Sequence, residues 1–275
     1  MKNSNDFSVV PVSVLMSVYN GSATVSSSIE SILNQTFSDF EFIIVDDGST
    51  DDTSSILRHY ADRDPRVKVL TKRNGGLTKA LNFGARAAVG RYIARQDADD
   101  ISLPDRLRVQ LDEMHRRPDI ALLGANAIWD DGSLRVIGRY YPDSILQSTV
   151  FRQNPFAHTS VMFSAKAFRE LGGYDESFYT SQDFELWMRF AKQYKISMVN
   201  NCLVVRKWLP TSISKSRRFE QIKNGFRARV AHSPYGLISI TRSSSYQLLC
   251  AVLPKAVLDI NRFVKCYKRK NRRIL

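Results

Sequence analysis

The sequence predicts an α/β fold in which a mostly parallel sheet is flanked by helices. Along the first half of the chain, short apolar runs rich in β-branched residues alternate with segments whose apolar residues recur at helical spacing. Such alternation is typical of parallel sheets, because each crossover lays a helix against the sheet. Several runs also stop at carboxylates or glycine-rich turns. With 275 residues, the chain is long enough to bury a sizeable core.

The chain is predicted to begin with two strand–helix units. Residues 9–21 form the first strand, an apolar run that stops at an Asn-Gly turn. A helix is expected over 22–33, where apolar residues have helical spacing and serines are available for capping. The second strand, 40–49, ends in two carboxylates and a Gly-Ser turn. Residues 51–53, Asp-Asp-Thr, then cap the second helix.

The same alternation continues over the next part of the chain. The third strand is predicted at 66–70, and the turn 74–76, Asn-Gly-Gly, opens the third helix. Residues 91–100 form the fourth strand, an apolar run that ends abruptly in three carboxylates. A further helix is expected over 103–114 and a further strand over 120–129.

The second half of the chain has a weaker pattern. Residues 130–153 are rich in turn residues, and their spacing assigns them no element. A strand is expected within 154–163, beside His158, which either faces a polar ligand or is satisfied within the fold. Helical spacing returns after Asp183, where a carboxylate is a favoured cap. Asp183 is therefore a helix cap, a general base, or both.

The acidic turn at residues 97–100, Asp-Ala-Asp-Asp, is the main candidate for a functional site. In open α/β sheets, ligands bind just beyond the carboxyl ends of strands, which is where this turn is expected. Its three carboxylates repel one another unless a cation or hydrogen-bond donors compensate, and hard oxygen ligands suit Mg²⁺ or Mn²⁺. The alternative is a solvated acidic turn ahead of the next helix.

The neighbouring strand ends favour a nucleotide site. Two predicted strands end in acids, and a glycine-rich turn follows the strand between them. Carboxylates can bind the base and ribose hydroxyls, a metal can bind the diphosphate, and a helix start offers backbone N–H groups. The glycine motifs of dinucleotide-binding proteins and P-loop NTPases are missing from the sequence, so these two classes lose their main support.

The positive charge of the chain is concentrated in its last quarter. The net charge is +13, yet from Arg206 onward 17 lysines and arginines face two acids, a net charge of +15. Residues 1–205 carry 23 basic and 25 acidic residues, a net charge of −2. This division predicts a nearly neutral body followed by a segment that meets an anionic surface.

The end of the chain is predicted to lie on a membrane surface. Residues 246–260 form an apolar stretch too short to span a bilayer, and basic residues follow it. An interfacial helix with a polybasic tail fits this pattern, and a solvated tail is the alternative. Nucleic-acid binding is not expected, because the tail lacks interleaved aromatic residues and a recognised module.

Cysteine usage indicates a reducing compartment. The three cysteines are odd in number and form no C-x-x-C pair, so neither a disulfide framework nor a zinc site is predicted. The polar residues 1–8 lead directly into the first strand without a visible secretory signal.

The chain resembles the inverting glycosyltransferases of family 2, which have the GT-A fold, a Rossmann-like sheet flanked by helices. The resemblance extends over about residues 9–195 and rests on five segments that occur in the family's order. They are 12–20, 45–51, 74–76 with 80–84, 97–100, and 172–175 with 182–187.

This resemblance implies a role for each matching residue. Asp99 would ligate Mn²⁺ or Mg²⁺, and Asp97 would contact the ribose or the sugar of a UDP-sugar. Asp183 would be the general base that removes a proton from the acceptor hydroxyl. The family usually has an acidic residue just before this aspartate, whereas this sequence has Gln182 there. His158 and Trp187 are expected on the acceptor side. The nucleotide-sugar contacts implied in this way are Tyr19, Asp46, Asp47, Asn74, Gly75, Asp97 and Asp99.

The resemblance also implies how the chain is divided and used. Residues 1–208 would form the catalytic domain, with a nucleotide-sugar half at 9–125 and an acceptor half at 126–208, and 209–275 would be a basic amphipathic extension. The Q-x-x-R-W signature of processive members is missing, so we expect transfer of one sugar per acceptor. The expected acceptor is a lipid-linked glycan of cell-surface polysaccharide assembly, on the cytoplasmic face of the membrane.

Two other functions are consistent with the same sequence. A non-catalytic nucleotide-sugar-binding protein could keep the fold without turnover, although the presence of both Asp99 and Asp183 counts against it. A nucleotidyltransferase would have a glycine-rich phosphate loop just after the first strand. This chain has Tyr19-Asn20-Gly21 at that position, which counts against this function.

Overall fold

The computed structural model of the chain describes residues 10–130, 135–137, 140–207 and 217–235. The strands are β1 Val12–Val18, β2 Phe40–Asp46, β3 Val67–Thr71, β4 Tyr92–Asp97, β5 Ile101–Ser102, β6 Ile120–Asp130, β7 Arg135–Ile137, β8 Met162–Ser164 and β9 Lys195–Lys207. The helices are α1 Val25–Leu33, α2 Thr53–Ala61, α3 Leu77–Ala87, α4 Arg106–Arg116, α5 Asp143–Thr149, α6 Ala165–Glu170, α7 Gln182–Gln193 and α8 Arg218–His232.

The strands form one mixed sheet in the order β3-β2-β1-β4-β8-β6-β9-β5, with β7 paired to β6. The first four strands pair in parallel, as the alternation of strands and helices predicts. Beyond β4 the sheet becomes mixed, because β8 runs antiparallel to both of its neighbours while β6 and β9 are parallel. The predicted α/β fold is confirmed, and the parallel part of the sheet is its N-terminal half.

The strands β1 and β2 are buried along their whole length. Successive side chains point to opposite faces of a sheet, so each strand contributes to two cores. Leu15 and Ile43 pack on the face covered by α3, while Met16 and Ile44 pack on the face covered by α1 and α4. This burial on both faces explains why the sequence of these strands is continuously apolar.

The structure corrects several predicted boundaries and caps. The helix expected from residue 103 begins at Arg106, because Leu103 still continues the pairing of β5 with β9: its backbone N–H donates to the Leu203 carbonyl at 2.9 Å. No side chain caps α1, and in α2 the carboxylate of Asp51 rather than Asp52 accepts the backbone N–H of Thr53, at 3.1 Å. Within 154–163, a 3-10 turn at His158–Ser160 precedes the short strand β8.

The helix α8 was not predicted from the sequence. It packs against α7 and so belongs to the body of the molecule that carries Asp183. The predicted interfacial helix at 246–260 lies outside the described residues. In the part of the chain that the structure describes, no helix is both long enough and apolar enough to cross a membrane.

Candidate active site

A cavity of about 590 Å³ lies where β4 and β9 end. The acidic turn that follows β4 and the beginning of α7 both line it. Residues 206 and 207 at the end of β9 and the inner face of α8 complete the wall. The cavity therefore collects side chains from segments that are far apart in the sequence. Among the residues expected at a site, it brings together Asp97, Asp99, His158 and Asp183.

The acidic turn is held by a buried amide and a buried guanidinium. The Gln96 side chain donates to the carbonyl oxygens of Asp97 and Asp100, at 3.2 and 2.8 Å, which closes the turn. Arg106 donates to the Gln96 side-chain oxygen at 2.9 Å and to the Arg95 carbonyl at 2.6 Å. Since Arg106 is fully buried, these bonds fix where the carboxylates of the turn can point.

The three carboxyl groups of the turn differ in charge state. Burial acts to raise the pKa of Asp97, but the positive charges of Arg95 and Arg206 outweigh it, and the pKa lies below its ordinary value. For Asp99, burial and the negative charge of Asp97 raise the pKa. The same two causes raise the pKa of Asp100 to about 8. The surroundings of the turn therefore favour the ionised form of Asp97 and disfavour that of Asp99 and Asp100.

The donor set of this turn fits a divalent cation that is shared with a ligand. Carboxylate oxygens suit Mg²⁺ and Mn²⁺, and a cation would relieve the repulsion that raises the pKa of Asp99. Among the described residues, no three His, Cys, Asp or Glu side chains form a group that could hold a metal ion without further ligands. Mg²⁺ commonly takes one or two carboxylates and completes its shell with phosphate oxygens and water.

Asp183 lines the cavity from the first turn of α7. It does not cap the helix, because the N-cap residue is Ser181, which has a left-handed backbone with φ 58°. The Asn154 side chain donates to Asp183 Oδ2 at 2.8 Å. Burial raises the pKa of Asp183, and the negative charge of Asp97 adds to this rise. A partly buried carboxylate with a raised pKa is suited to accept a proton.

His158 is held inside the fold while one side of it reaches the cavity. Its Nε2 is 2.8 Å from the Tyr174 hydroxyl, and its ring packs edge-on against Trp187. Burial lowers the pKa of His158 to about 3, so the ring is neutral at ordinary pH. Trp187 is fully buried behind this histidine, and its contact with an acceptor stays a prediction. The structural interpretation of His158 is supported by its tyrosine partner.

The remaining predicted residues lie beside the cavity, beyond the ends of β1 and β2. Asp47 is buried, and its carboxylate accepts the backbone N–H groups of Gly75 and Gly76 at 3.0 and 2.7 Å and the Lys72 ammonium at 2.6 Å. These bonds tie the end of β2 to the turn that contains Asn74 and opens α3. Leu77, the first residue of α3, reaches the cavity wall, so this turn borders the cavity.

Asp46 and Tyr19 complete this neighbouring edge. The Asp46 carboxylate accepts the Ser49 backbone N–H at 2.9 Å and the Ser54 hydroxyl, so it holds the turn after β2. Tyr19 is 52% exposed and contributes a free aromatic surface at the end of β1. The contacts of these residues with a nucleotide stay a prediction.

The cavity also contains residues that the sequence analysis missed. Asn154 and one face of α8 line the cavity, but the sequence pattern assigned neither of them a role in the site. Arg206 approaches Asp100, with 3.6 Å between Nε and Oδ2, and the Lys207 backbone N–H donates to Asp100 Oδ1 at 3.2 Å. The only sequence signal for Arg206 and Lys207 was that the basic part of the chain begins there.

The fold is that of the GT-A glycosyltransferases. Residues 13–172 match the family described as Glycosyl transferase family 2, and the chain belongs to this family of transferase enzymes. It is 35% identical over 185 residues to the O-antigen biosynthesis glycosyltransferase WbnJ of Escherichia coli, a match that covers 66% of this chain and 72% of WbnJ.

Solved structures show the same fold at low sequence identity. S. aureus TarS 1-349 in complex with UDP-GlcNAc superposes with a TM-score of 0.66 at 18% identity, over 86% of this chain and 71% of TarS 1-349. The mannosyltransferase PcManGT from Pyrobaculum calidifontis, in complex with GDP-Man and Mn²⁺, gives a TM-score of 0.65 at 17% identity over 95% and 82% of the two chains. The GT-A fold predicted from the sequence is thereby confirmed.

Proposed function

We propose that this protein is an inverting glycosyltransferase that moves one sugar from a UDP-sugar to a hydroxyl group of a glycan acceptor. One observation carries the proposal: the acidic turn and Asp183 line the same cavity. Direct displacement at an anomeric carbon needs a base for the acceptor and stabilisation of the leaving diphosphate. Asp183 and the acidic turn offer one group for each task.

The donor is assigned to the edge formed by the ends of β1, β2 and β4. Tyr19, Asp46 and Asp47 would bind the uracil and ribose, and Asn74 and Gly75 would approach the nucleotide through the start of α3. Asp97 would contact the ribose or the sugar. The UDP-GlcNAc complex of TarS supports a uridine donor, while the GDP-Man complex of PcManGT makes a guanosine donor the alternative to test.

Asp183 is proposed as the general base. In its ionised form, it would accept the proton of the acceptor hydroxyl as that oxygen bonds to the anomeric carbon and the bond to the diphosphate breaks. A positioned carboxylate base typically contributes on the order of 10²–10⁴ in rate. Because burial raises the pKa of Asp183, its carboxylate is a stronger base than that of an exposed aspartate, which favours proton transfer from the acceptor.

Asp99 is proposed as the carboxylate that holds Mn²⁺ or Mg²⁺. When bound, the cation would neutralise the charge that develops on the departing diphosphate, which can be worth several kcal/mol. The oxygen chemistry of the turn supports this role, since Asp97 and Asp100 lie in the same turn and the pKa of Asp99 is raised by burial and by Asp97. The Mn²⁺ complex of PcManGT supports it by analogy of fold.

The acceptor is proposed to be a lipid-linked glycan of a cell-surface polysaccharide. The name of WbnJ supports polysaccharide assembly as the process. Residues 246–275, with their basic composition, would hold the enzyme on the anionic inner face of the cell membrane. Deletion of residues 246–275 should release the protein from anionic phospholipid vesicles, and unchanged co-sedimentation would contradict this membrane role.

The proposed activity is tested by release of the nucleotide from a panel of UDP-sugars and GDP-mannose, with Mn²⁺, Mg²⁺ or EDTA. Metal-dependent release from a UDP-sugar, stimulated by extracted lipid-linked glycans, is the expected result. Asp183→Asn should abolish transfer and retain UDP binding, whereas Asp99→Ala should weaken metal-dependent UDP binding. Asp112→Asn, at a carboxylate that is 68% exposed, is the matched control.

The rival function is a non-catalytic nucleotide-sugar-binding protein. It predicts binding of UDP with Mn²⁺ and no nucleotide release from any donor. Wild-type turnover by Asp183→Asn would instead keep the transferase and remove the base assignment.

A further inference from the structure

An exposed tyrosine stands at the rim of the cavity, four residues before Asp183. Among the described aromatic side chains that line the cavity, Tyr179 is 51% exposed, whereas Phe156 and Phe184 are buried. We propose that Tyr179 and the inner face of α8 form the acceptor subsite, in which a hexopyranose ring stacks on the tyrosine. This inference rests on the proposed transferase function and deepens it.

The segment that carries Tyr179 is fixed on both sides by buried hydrogen bonds. On the side of α3, Thr78 Oγ1 donates to the Phe178 carbonyl at 2.8 Å. On the side of α8, Asn224 Nδ2 donates to Thr180 Oγ1 at 2.8 Å, and both of these residues are buried. Tyr179 thus has an exposed ring on a backbone that cannot easily move. A pre-positioned aromatic side chain binds a ligand at low cost in conformational entropy.

The chain changes direction between Tyr179 and Asp183 in a way that brings both to the cavity. Ser181 has the left-handed φ of 58°, which is unfavourable for a residue other than glycine. The Ser181 hydroxyl donates to the Gln221 carbonyl of α8 at 3.0 Å, which holds this conformation. Strain retained beside the proposed base indicates that the turn has a functional role.

Gly225 keeps the α8 side of the subsite open. A glycine inside a helix costs about 1 kcal/mol relative to alanine, so its presence requires a reason. Packing does not supply one, because a Cβ at this position would meet its nearest atom, Arg229 Nη1, at an ordinary 3.7 Å. Gly225 lines the cavity, and a Cβ there would lie beside Arg229 and Phe184, which line it too, so a longer side chain would compete for the same space. We infer that this space is used by the acceptor.

The chemistry of the subsite suits a sugar ring. A pyranose presents a face of C–H groups and an edge of hydroxyl groups, so it needs an apolar platform bordered by polar side chains. Tyr179 offers the platform, and Gln221 and Asn154 offer the polar border. Asp183 lines the same cavity and accepts the Asn154 amide at 2.8 Å, and in the proposed subsite it would receive the proton of a hydroxyl of the ring stacked on Tyr179.

The subsite is tested by saturation-transfer NMR with a panel of p-nitrophenyl hexosides and N-acetylhexosaminides, in the presence of UDP and Mn²⁺. The full-length protein should bind at least one glycoside, and Tyr179→Ala should raise its Kd about tenfold, the loss expected for about 1.4 kcal/mol. Tyr179→Phe should keep most of the affinity, because the ring face remains. Gly225→Leu should abolish binding by filling the space.

Phe219→Ala is the matched control, because Phe219 is an aromatic residue of α8 that is 65% exposed and outside the cavity. Thermal melting of each variant verifies the fold. Unchanged glycoside affinity in both Tyr179→Ala and Gly225→Leu, or no binding of any glycoside by the wild type, would overturn the subsite. Tyrosine-dependent binding without release of nucleotide from any donor would refute the transferase function and keep the subsite.

Discussion

The Asn154 side-chain amide donates to Asp183 Oδ2 at 2.8 Å, and the orientation of this amide is set by a second bond. Asn154 Oδ1 accepts the backbone N–H of Phe156 at 3.2 Å, so the NH₂ group must face the aspartate. A donor that faces a carboxylate stabilises its ionised form. Asn154 therefore opposes the burial that raises the pKa of Asp183, and it holds the side chain in one orientation toward the cavity.

We predict that Asn154→Ala moves the acidic limb of the pH–rate profile upward by about one pH unit, the equivalent of about 1.4 kcal/mol. Loss of the donor destabilises the carboxylate, so its pKa rises further and the base becomes protonated at a higher pH. The measurement is kcat/KM against pH with the best donor. Gln153→Ala is the neighbouring control, and a uniform loss of rate without a shift would limit Asn154 to a structural role.

We predict that Asp47→Ala raises the Kd of UDP at least about tenfold. The substitution removes the acceptor of the Gly75 and Gly76 N–H groups and leaves the Lys72 ammonium without its carboxylate partner. The turn that opens α3 would then lose the arrangement that the proposed nucleotide site needs. Titration calorimetry with UDP and Mn²⁺ measures the effect. Asp62 is an exposed aspartate directly after α2, and the control variant Asp62→Ala should bind UDP as the wild type does.

Local sequence patterns predicted the part of the site that lies where the strands end, such as Asp97 and Asp99 at the end of β4. The strands β1, β2 and β4 are buried on both faces, so their apolar runs and the carboxylates after them are visible in the sequence. The bond between Asn154 and Asp183 joins residues 29 positions apart, and no pattern of spacing encodes it. Such pairings become visible only when the fold brings the segments together.

The helix α8 escaped prediction for a related reason. Its apolar Phe219 and Val230 are exposed, while Asn224 and Arg229 are buried against the body of the molecule. This is the reverse of the distribution on which helix prediction relies. The buried polar residues are satisfied by distant partners, such as Thr180 for Asn224 and the Arg152 carbonyl for Arg229. Tertiary contacts, not the amphipathic pattern, position the helix.

We predict that Arg106→Leu lowers the free energy of unfolding by about 3 kcal/mol or more. The guanidinium is fully buried and donates to Gln96, to Ser102 and to the carbonyl oxygens of Arg95 and Val161. Each acceptor left unsatisfied in the interior costs about 1–3 kcal/mol. Urea denaturation followed by circular dichroism gives the value.

Arg108 provides the control for this substitution. It lies in the same helix, its side chain is 50% exposed, and its partners Asp105 and Asp112 are also on the surface. Arg108→Ala should therefore cost less than about 1 kcal/mol. An equal loss in both variants would mean that the buried bonds of Arg106 contribute little to holding the acidic turn.

We predict that Glu185→Gln lowers the free energy of unfolding at pH 7 by about 2 kcal/mol and that the difference disappears in acid. Glu185 is buried in α7 and accepts bonds from Arg189 at 2.7 Å and from His232 of α8 at 2.8 Å. Burial acts to raise the pKa of Glu185, but the bonds from His232 and Arg189 outweigh it and hold the pKa below 4.5. A carboxylate with a lowered pKa stabilises the fold above its ordinary pKa and loses this contribution as the pH falls through its lowered value.

Urea denaturation at pH 7 and at successively lower pH measures the effect, and the free energies of unfolding of the wild type and of Glu185→Gln should converge as the pH falls. The control variant Glu30→Gln, at an exposed carboxylate, should stay within about 0.5 kcal/mol of the wild type throughout. A constant difference at every pH would mean that the substitution acts through packing between α7 and α8 instead of through charge.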